Sequence, residues 1–214
     1  MHIEVLVEDS SGAKLLDSLL PTLIGPQGDP HTWRMHDYKG IGRLPAGLSA
    51  KADPAKRALL DKLPKVLSAH GKTHGIDAVV VVLDSDRRDR KTFLAELTAL
   101  LPRCQPAPNT LFGLATEEME AWFLGDRTAL LAAYPRAKKD VLARYEQDSV
   151  CGTWELLADA VYPGGARAVK KAGWPLPGNL KHEWAENIGP HMDVTRNQSP
   201  SFCTFRDGLQ RLVA

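Results

Sequence analysis

The sequence is poor in cysteine, has no large excess of charge of either sign and contains no long apolar segment. Its cysteines, Cys104, Cys151 and Cys203, are far apart and form no CxxC pair, so they indicate neither a disulfide framework nor a zinc ribbon. The formal net charge is +1, which excludes a globally basic, histone-like binder. No segment approaches the about 18 uncharged apolar residues of a transmembrane helix, and MHIEVLVEDSSG is not typical of a signal peptide. We therefore expect a cytoplasmic protein without membrane contact.

The first part of the chain alternates between strand-like and helix-like patterns. Runs rich in β-branched and apolar residues stand at 2–7, 31–38, 76–83 and 110–115. Helical spacing of leucines follows the first run, after Ser10 or Ser11 as the N-cap, and recurs at 54–70 and 91–101. Four such units predict an α/β fold, an open and mostly parallel four-stranded sheet flanked by helices.

From about residue 126 the strand-like runs stop and short helical segments follow. We expect residues 1–125 to form the α/β core and residues 126–214 a helical C-terminal extension packed on it, together one structural unit. Four tryptophans are expected in the core of the helical part, with platforms for base stacking as the less favoured alternative: Trp122, Trp154, Trp174 and Trp184.

Acidic residues follow every predicted strand. They are Glu8 and Asp9, Asp37, Asp84 and Asp86, and finally Glu117, Glu118 and Glu120. Ligands of an open parallel sheet bind beyond the carboxyl ends of its strands, so these side chains are expected at one edge. Such crowding of like charge is costly unless a cation neutralises it, and an all-oxygen ligand set favours Mg²⁺ or Mn²⁺. Asp9 and Asp89 are the members expected to be solvated or to cap a helix instead, and for Asp89 the cap of the helix that begins near Arg90 is favoured.

The Asp84-Ser85-Asp86 spacing places two carboxylates on one side of an extended segment, where both can bind one metal ion. In TEEMEAWF, interpreted as a helix, Glu117 and Glu120 share a face, whereas Glu118 lies beside Trp122. Periodicity does not decide which glutamate faces the site.

Two motifs resemble the Toprim superfamily, the catalytic domain of topoisomerases, bacterial primases and OLD-family nucleases. They are VLVEDSSGAKLL, containing Glu8, and VVVVLDSDRRD, containing Asp84 and Asp86. YKGIGRLP, LATEEMEAWFLGD and NIGPHMDVTRNQSPSFCTFRDGL are similar to segments of a small bacterial Toprim-like family. That family is related to the OLD nucleases and to the Toprim effector of the PARIS phage-defence system. Its first motif commonly has Glu-Gly where this chain has Glu8-Asp9.

The resemblance implies a metal-dependent fold for phosphodiester chemistry and assigns roles residue by residue. Glu8 would be a general acid/base or a second-metal ligand, and Asp84 and Asp86 the principal metal ligands. Glu118 and Glu120 match the family's ExE, with Glu120 favoured, and Lys181 in NLKHEWAENIG resembles a lysine placed near the site. A cation there stabilises a pentavalent phosphorus; a solvated helix lysine is the alternative.

Basic residues just past the strand ends are the expected phosphate contacts: Lys39, Arg43, Arg87 and Arg88. Our leading hypothesis is an Mg²⁺- or Mn²⁺-dependent nuclease acting on RNA or DNA as a defence or toxin-like effector. A phosphatase or nucleotidyl transferase is the enzymatic alternative. The non-enzymatic alternative is a non-catalytic Toprim-like module that works with a partner such as an ATPase. The sequence also leaves open whether the protein forms a homodimer.

Overall fold

The computed structural model describes residues 1–44 and 58–214. In this part of the chain, four parallel strands form one sheet in the order β2-β1-β3-β4. The strands are β1 (His2–Val7), β2 (Thr32–Asp37), β3 (Ala78–Asp84) and β4 (Thr110–Ala115). The α/β fold with a parallel four-stranded sheet is therefore confirmed, and it is consistent with the Toprim-like architecture that the resemblance implies.

The strand β3 is covered on both faces, as its uninterrupted valines predict. Val80 and Val82 pack into a cluster with the leucines of the helix after β1, whereas Val79, Val81 and Leu83 pack on the opposite face. Successive side chains of a strand point to opposite faces, so one short segment contributes to both halves of the core. This burial fixes the position at which Asp84 leaves the sheet.

Helices cover the two faces of the sheet. They are α1 (Ser10–Ile24), α2 (Leu59–His70) and α3 (Arg90–Thr98). The predicted start of α2 at residue 54 lies outside the described residues.

The N-caps of these helices explain two of the acidic residues. Asp9, and not Ser10 or Ser11, caps α1, because its carboxylate accepts a hydrogen bond from Gly12 N at 2.8 Å. Asp89 caps α3 in the same way through Thr92 N, as predicted.

The segment after β4 departs from the sequence-based expectation. The helix α4 (Glu120–Gly125) begins only at Glu120, so Glu117 and Glu120 do not share a helical face. Glu117 lies in the left-handed region with φ of 59°, and Asp86 opposite it has φ of 50°. The two residues form an isolated antiparallel bridge, in which Asp86 N donates to Glu117 O at 2.8 Å. This tertiary pairing overrides the helical pattern of TEEMEAWF.

The rest of the chain is helical, in agreement with the predicted extension. The helices are α5 (Arg127–Ala133), α6 (Lys139–Leu142), α7 (Thr153–Val161), α8 (Gly165–Ala172), α9 (Leu176–Ile188) and α10 (Pro200–Val213). Trp122 and Trp184 are buried in the same hydrophobic cluster as Val80, so these helices share the core of the sheet. Trp154 is only partly buried and Trp174 is 82% exposed, which corrects the expectation that all four tryptophans lie in the core. Among the described helices, none is long and apolar enough to cross a membrane.

Candidate functional site

Two carboxylates from neighbouring strands lie side by side at the carboxyl edge of the sheet. Glu8 directly follows β1, and Asp84 is the last residue of β3, its hydrogen-bonded neighbour. Asp84 N donates to Glu8 Oε2 at 3.2 Å. The parallel register of β1 and β3 brings the two side chains together, as the sequence predicts.

The helical part of the chain contributes a basic residue to this site. Lys181, in α9, has its Nζ 3.2 Å from Glu118 Oε1 and 3.5 Å from Glu120 Oε2. Its side chain is only 19% exposed. A small pocket has Glu8, Asp84, Glu120 and Lys181 in its wall. Lys181 is thus an ion-paired residue of the carboxylate cluster and not a solvated helix lysine.

Burial and like charge raise the pKa of several carboxyl groups here. Burial raises the pKa of Glu8 to about 7, against the backbone hydrogen bond from Asp84, and the charges of Asp9 and Asp86 raise it further. The pKa of Asp84 is raised well above its ordinary value, mainly by burial and then by the charge of Glu8. Full ionisation of these carboxyl groups is therefore costly unless a further cation lies beside them.

Burial and neighbouring charges also shift the pKa values of Glu118 and Lys181. Burial raises the pKa of Glu118 to about 7, although the charge of Lys181 opposes the shift. Burial lowers the pKa of Lys181, but the charges of Glu120 and Glu118 outweigh it, so the pKa of the ammonium is raised. Lys181 is therefore a permanent cation at neutral pH.

The donor set and the charge of the cluster fit a divalent cation. Within the described residues, the carboxylates of Glu8, Asp84, Glu118 and Glu120 surround the one ammonium of Lys181. Asp84 Oδ1 is buried and has no hydrogen-bond partner, so a cation bound to it would provide the partner that the atom lacks. Residues 1–44 and 58–214 contain no group of three or more His, Cys, Asp or Glu side chains arranged to hold a metal ion. Mg²⁺ ordinarily takes one or two protein carboxylates and completes its shell with water and substrate phosphate, and Glu8 and Asp84 are the adjacent pair that would hold it.

The second aspartate of the DxD lies apart from the first. The left-handed φ of Asp86 breaks the alternation of the strand, and its side chain is 52% exposed, 3.9 Å from Arg88 Nη2. It lines a wide surface groove of about 990 Å³ next to the inner pocket. Asp86 affects Glu8 through its charge, and the expectation that it shares a metal ion with Asp84 stays a prediction.

The predicted phosphate contacts separate into two groups. Arg87 and Arg88 line the groove together with Glu118. Lys39 and Arg43 are exposed and line neither the inner pocket nor the groove; the backbone N of Arg43 donates to Asp61 Oδ1 at 2.8 Å. The structure therefore brings only the arginines of the β3–α3 turn to the site.

Glu117 has a structural role that sequence reasoning missed. Its carboxylate accepts hydrogen bonds from the backbone N atoms of Cys151, Gly152 and Thr153, at 2.9–3.1 Å. These are free donors at the start of α7, where a negative charge is also favoured by the helix dipole. Glu117 thereby fixes the beginning of α7 beside Glu118. No local pattern signals this contact, since its partners lie more than thirty residues away.

Comparison with known proteins adds no family assignment. The chain matches no protein-family model, no curated protein and no solved structure.

Proposed function

We propose that this chain is a divalent-metal-dependent phosphodiesterase that hydrolyses nucleic acid. The observation that carries the proposal is the half-buried Glu8–Asp84 pair at the carboxyl edge of a parallel sheet, in which the buried Oδ1 of Asp84 has no hydrogen-bond partner. Buried carboxylates with raised pKa values in a cleft are a common mark of a functional site. Five residues of the resemblance to Toprim proteins lie close together, namely Glu8, Asp84, Glu118, Glu120 and Lys181, whereas Asp86 lies apart from them on the groove.

Each residue of the cluster has a role in this proposal. Asp84 and Glu8 would hold an Mg²⁺ or Mn²⁺ ion, and a bound ion would supply Lewis-acid polarisation of a phosphate and a lowered pKa of water. Lys181 would stabilise the added negative charge of a pentavalent phosphorus. Glu118, with a pKa of about 7 at the border between pocket and groove, exchanges a proton at neutral pH.

A Mn²⁺ titration followed by thermal unfolding tests the metal site directly. At a hundred times the dissociation constant, binding to the folded state adds about 2.7 kcal/mol, which raises the melting temperature by about 5–10 °C. Asp84→Asn keeps the shape of the side chain and is expected to abolish this stabilisation. Asp140→Asn, which removes an exposed carboxylate from α6, is the matched control and should retain it.

Cleavage assays then separate the proposed enzyme from the alternative. We expect the wild type with Mn²⁺ to cut labelled RNA or DNA, and both Asp84→Asn and Glu8→Gln to lose activity by about 100-fold or more. Stabilisation by Mn²⁺ without cleavage of RNA, single-stranded DNA or duplex DNA would instead support a non-catalytic module. Absence of both effects would refute the metal site itself.

A further inference from the structure

The groove beside the carboxylate cluster is lined by four separate segments, one of which is Glu117 and Glu118 after β4. Arg87 and Arg88 come from the turn between β3 and α3, Trp154 from the first turn of α7, and Lys170 from α8. The groove has a volume of about 990 Å³ and ends at Glu118, which contacts Lys181 of the inner pocket. Whatever lies in the groove is therefore held next to the proposed metal site.

One wall of the groove is an aromatic ring covered by a mobile cation. Lys170 Nζ lies 5.5 Å from the centroid of the Trp154 ring and 3.0 Å from Glu155 Oε1. The Lys170 side chain is 59% exposed, so little is lost when it moves off the ring. Val150, 57% exposed, is an apolar side chain on the same groove. An indole with an apolar neighbour is a surface on which a planar base can stack.

The opposite wall presents guanidinium groups. The Arg88 guanidinium lies 4.5 Å from the centroid of the Phe93 ring and is held there, with Asp86 Oδ2 at 3.9 Å. Arg87 is exposed and, among the described residues, forms no ion pair. Guanidinium groups bind phosphate oxygens in a fixed, bidentate geometry, so this wall suits the backbone of a nucleic acid.

Four acidic residues line the same groove, and each of them has a cation or hydrogen-bond donors beside it. The Glu117 carboxylate is taken up by backbone N atoms at the start of α7, and Glu155 pairs with Lys170. Glu118 pairs with Lys181, and Asp86 lies near Arg88. Among the described residues of the groove, Arg87 is the basic side chain without an ion pair, and a phosphate that binds Arg88 or Lys170 competes with Asp86 or Glu155.

From this arrangement we propose that the groove binds a single-stranded nucleic acid, with one unpaired base stacked on Trp154 and its phosphates on Arg87, Arg88 and Lys170. The proposal rests on the proposed function in placing the bond that is cut at the adjacent carboxylate cluster. It adds the substrate class, since bases of a duplex are stacked on one another and do not expose a face to an indole. A duplex would contact the arginines alone.

Binding measured in EDTA tests the groove without any cleavage. We expect labelled single strands of about ten nucleotides to bind the wild type more tightly than a duplex of the same length, by fluorescence anisotropy. Trp154→Leu should weaken single-strand binding about tenfold or more, since stacking on an aromatic side chain is worth that much per base. Trp154→Phe keeps a ring and should restore most of the affinity. DNA and RNA strands are compared in separate arms.

Two further variants make the test specific. Trp174→Leu is the same substitution at a tryptophan that is 82% exposed and outside the groove, and it should leave affinity unchanged. Lys170→Glu should weaken binding and lower the salt dependence of the affinity by about one phosphate contact. This variant keeps the proposal testable if Trp154→Leu folds poorly. Three results would each overturn the proposal. The first is equal affinity for duplex and single strand, and the second is an equal loss of affinity in Trp154→Leu and Trp174→Leu. The third is normal binding by Lys170→Glu.

The outcome is independent of the proposed function. A chain that binds single strands through Trp154 but cleaves none of them contradicts the proposed hydrolysis and leaves the groove assignment in place. A chain that cleaves nucleic acid while Trp154→Leu binds single strands normally contradicts the groove assignment alone.

Discussion

Replacing Lys181 with methionine is expected to destabilise the protein much more at pH 8 than at pH 5. The ammonium lies 3.2 Å from Glu118 and 3.5 Å from Glu120, and its side chain is only 19% exposed. Removing one partner of a buried ion pair costs about 3–5 kcal/mol, because the other charge stays buried without compensation. Methionine fills a similar volume, so the substitution tests the charge more than the packing.

The pH dependence follows from the raised pKa values of the neighbouring carboxyl groups. Burial raises the pKa of Glu8 and of Glu118 from 4.5 to about 7. A group whose pKa is raised in the folded state contributes stability below its unfolded pKa, and this contribution is lost as the pH rises through 7. At pH 5 both groups are mostly protonated and need little compensation. At pH 8 both are charged, and the loss of Lys181 has its full effect.

Thermal unfolding in EDTA at both pH values provides the measurement. A loss of 3–5 kcal/mol in a chain of this size lowers the melting temperature by about 10 °C, which we expect at pH 8. At pH 5 the decrease should be less than half as large. Lys170→Met, at an exposed lysine, is the control and should change the melting temperature by no more than about 2 °C. Equal decreases at the two pH values would refute the electrostatic reasoning.

Two further predictions concern ion pairs away from the cluster. Arg196 donates to both oxygens of the fully buried Asp126 at 2.9 Å, so Arg196→Met is expected to cost about 3 kcal/mol in urea unfolding; an unchanged midpoint would contradict this. Burial raises the pKa of Glu4, but the hydrogen bond and charge of His36 outweigh it and lower that pKa below 4.5. This contribution to stability is present above pH 4.5 and is lost as the pH falls through the folded pKa. Between pH 5 and pH 3 the wild type should therefore lose more stability than Glu4→Gln, and parallel losses would count against the pairing.

Local patterns were sufficient for the strands and for most helices. Residues 79–82 are all valine, and such an uninterrupted apolar run is typical of a strand that is covered on both faces. The predicted bounds of β4, 110–115, are the observed ones. The side-by-side placement of Glu8 and Asp84 also follows from sequence, because parallel strands end at the same edge. Asp89 as the cap of α3 follows from the chemistry of its side chain.

Local patterns failed where distant residues hold the backbone. The helical spacing of TEEMEAWF does not show that Glu117 adopts a positive φ and binds the start of α7. Trp154 resembles a core residue in sequence, but it is only partly buried, and Lys170 from another helix lies over its ring. Lys39 and Arg43 follow β2 as predicted, yet the groove lies on the other side of the site, beyond β3.

The sequence by itself therefore determined the α/β class, the parallel sheet and the identity of the carboxylates at its edge, because apolar periodicity and the alternation of strands and helices along the chain are local properties. The tertiary structure decided that Lys181 enters the carboxylate cluster, that Asp86 turns away from Asp84, and that Trp154 faces a groove. Each of these depends on contacts between segments far apart in the chain, and the free energy of such contacts exceeds the weak preferences that a local pattern expresses.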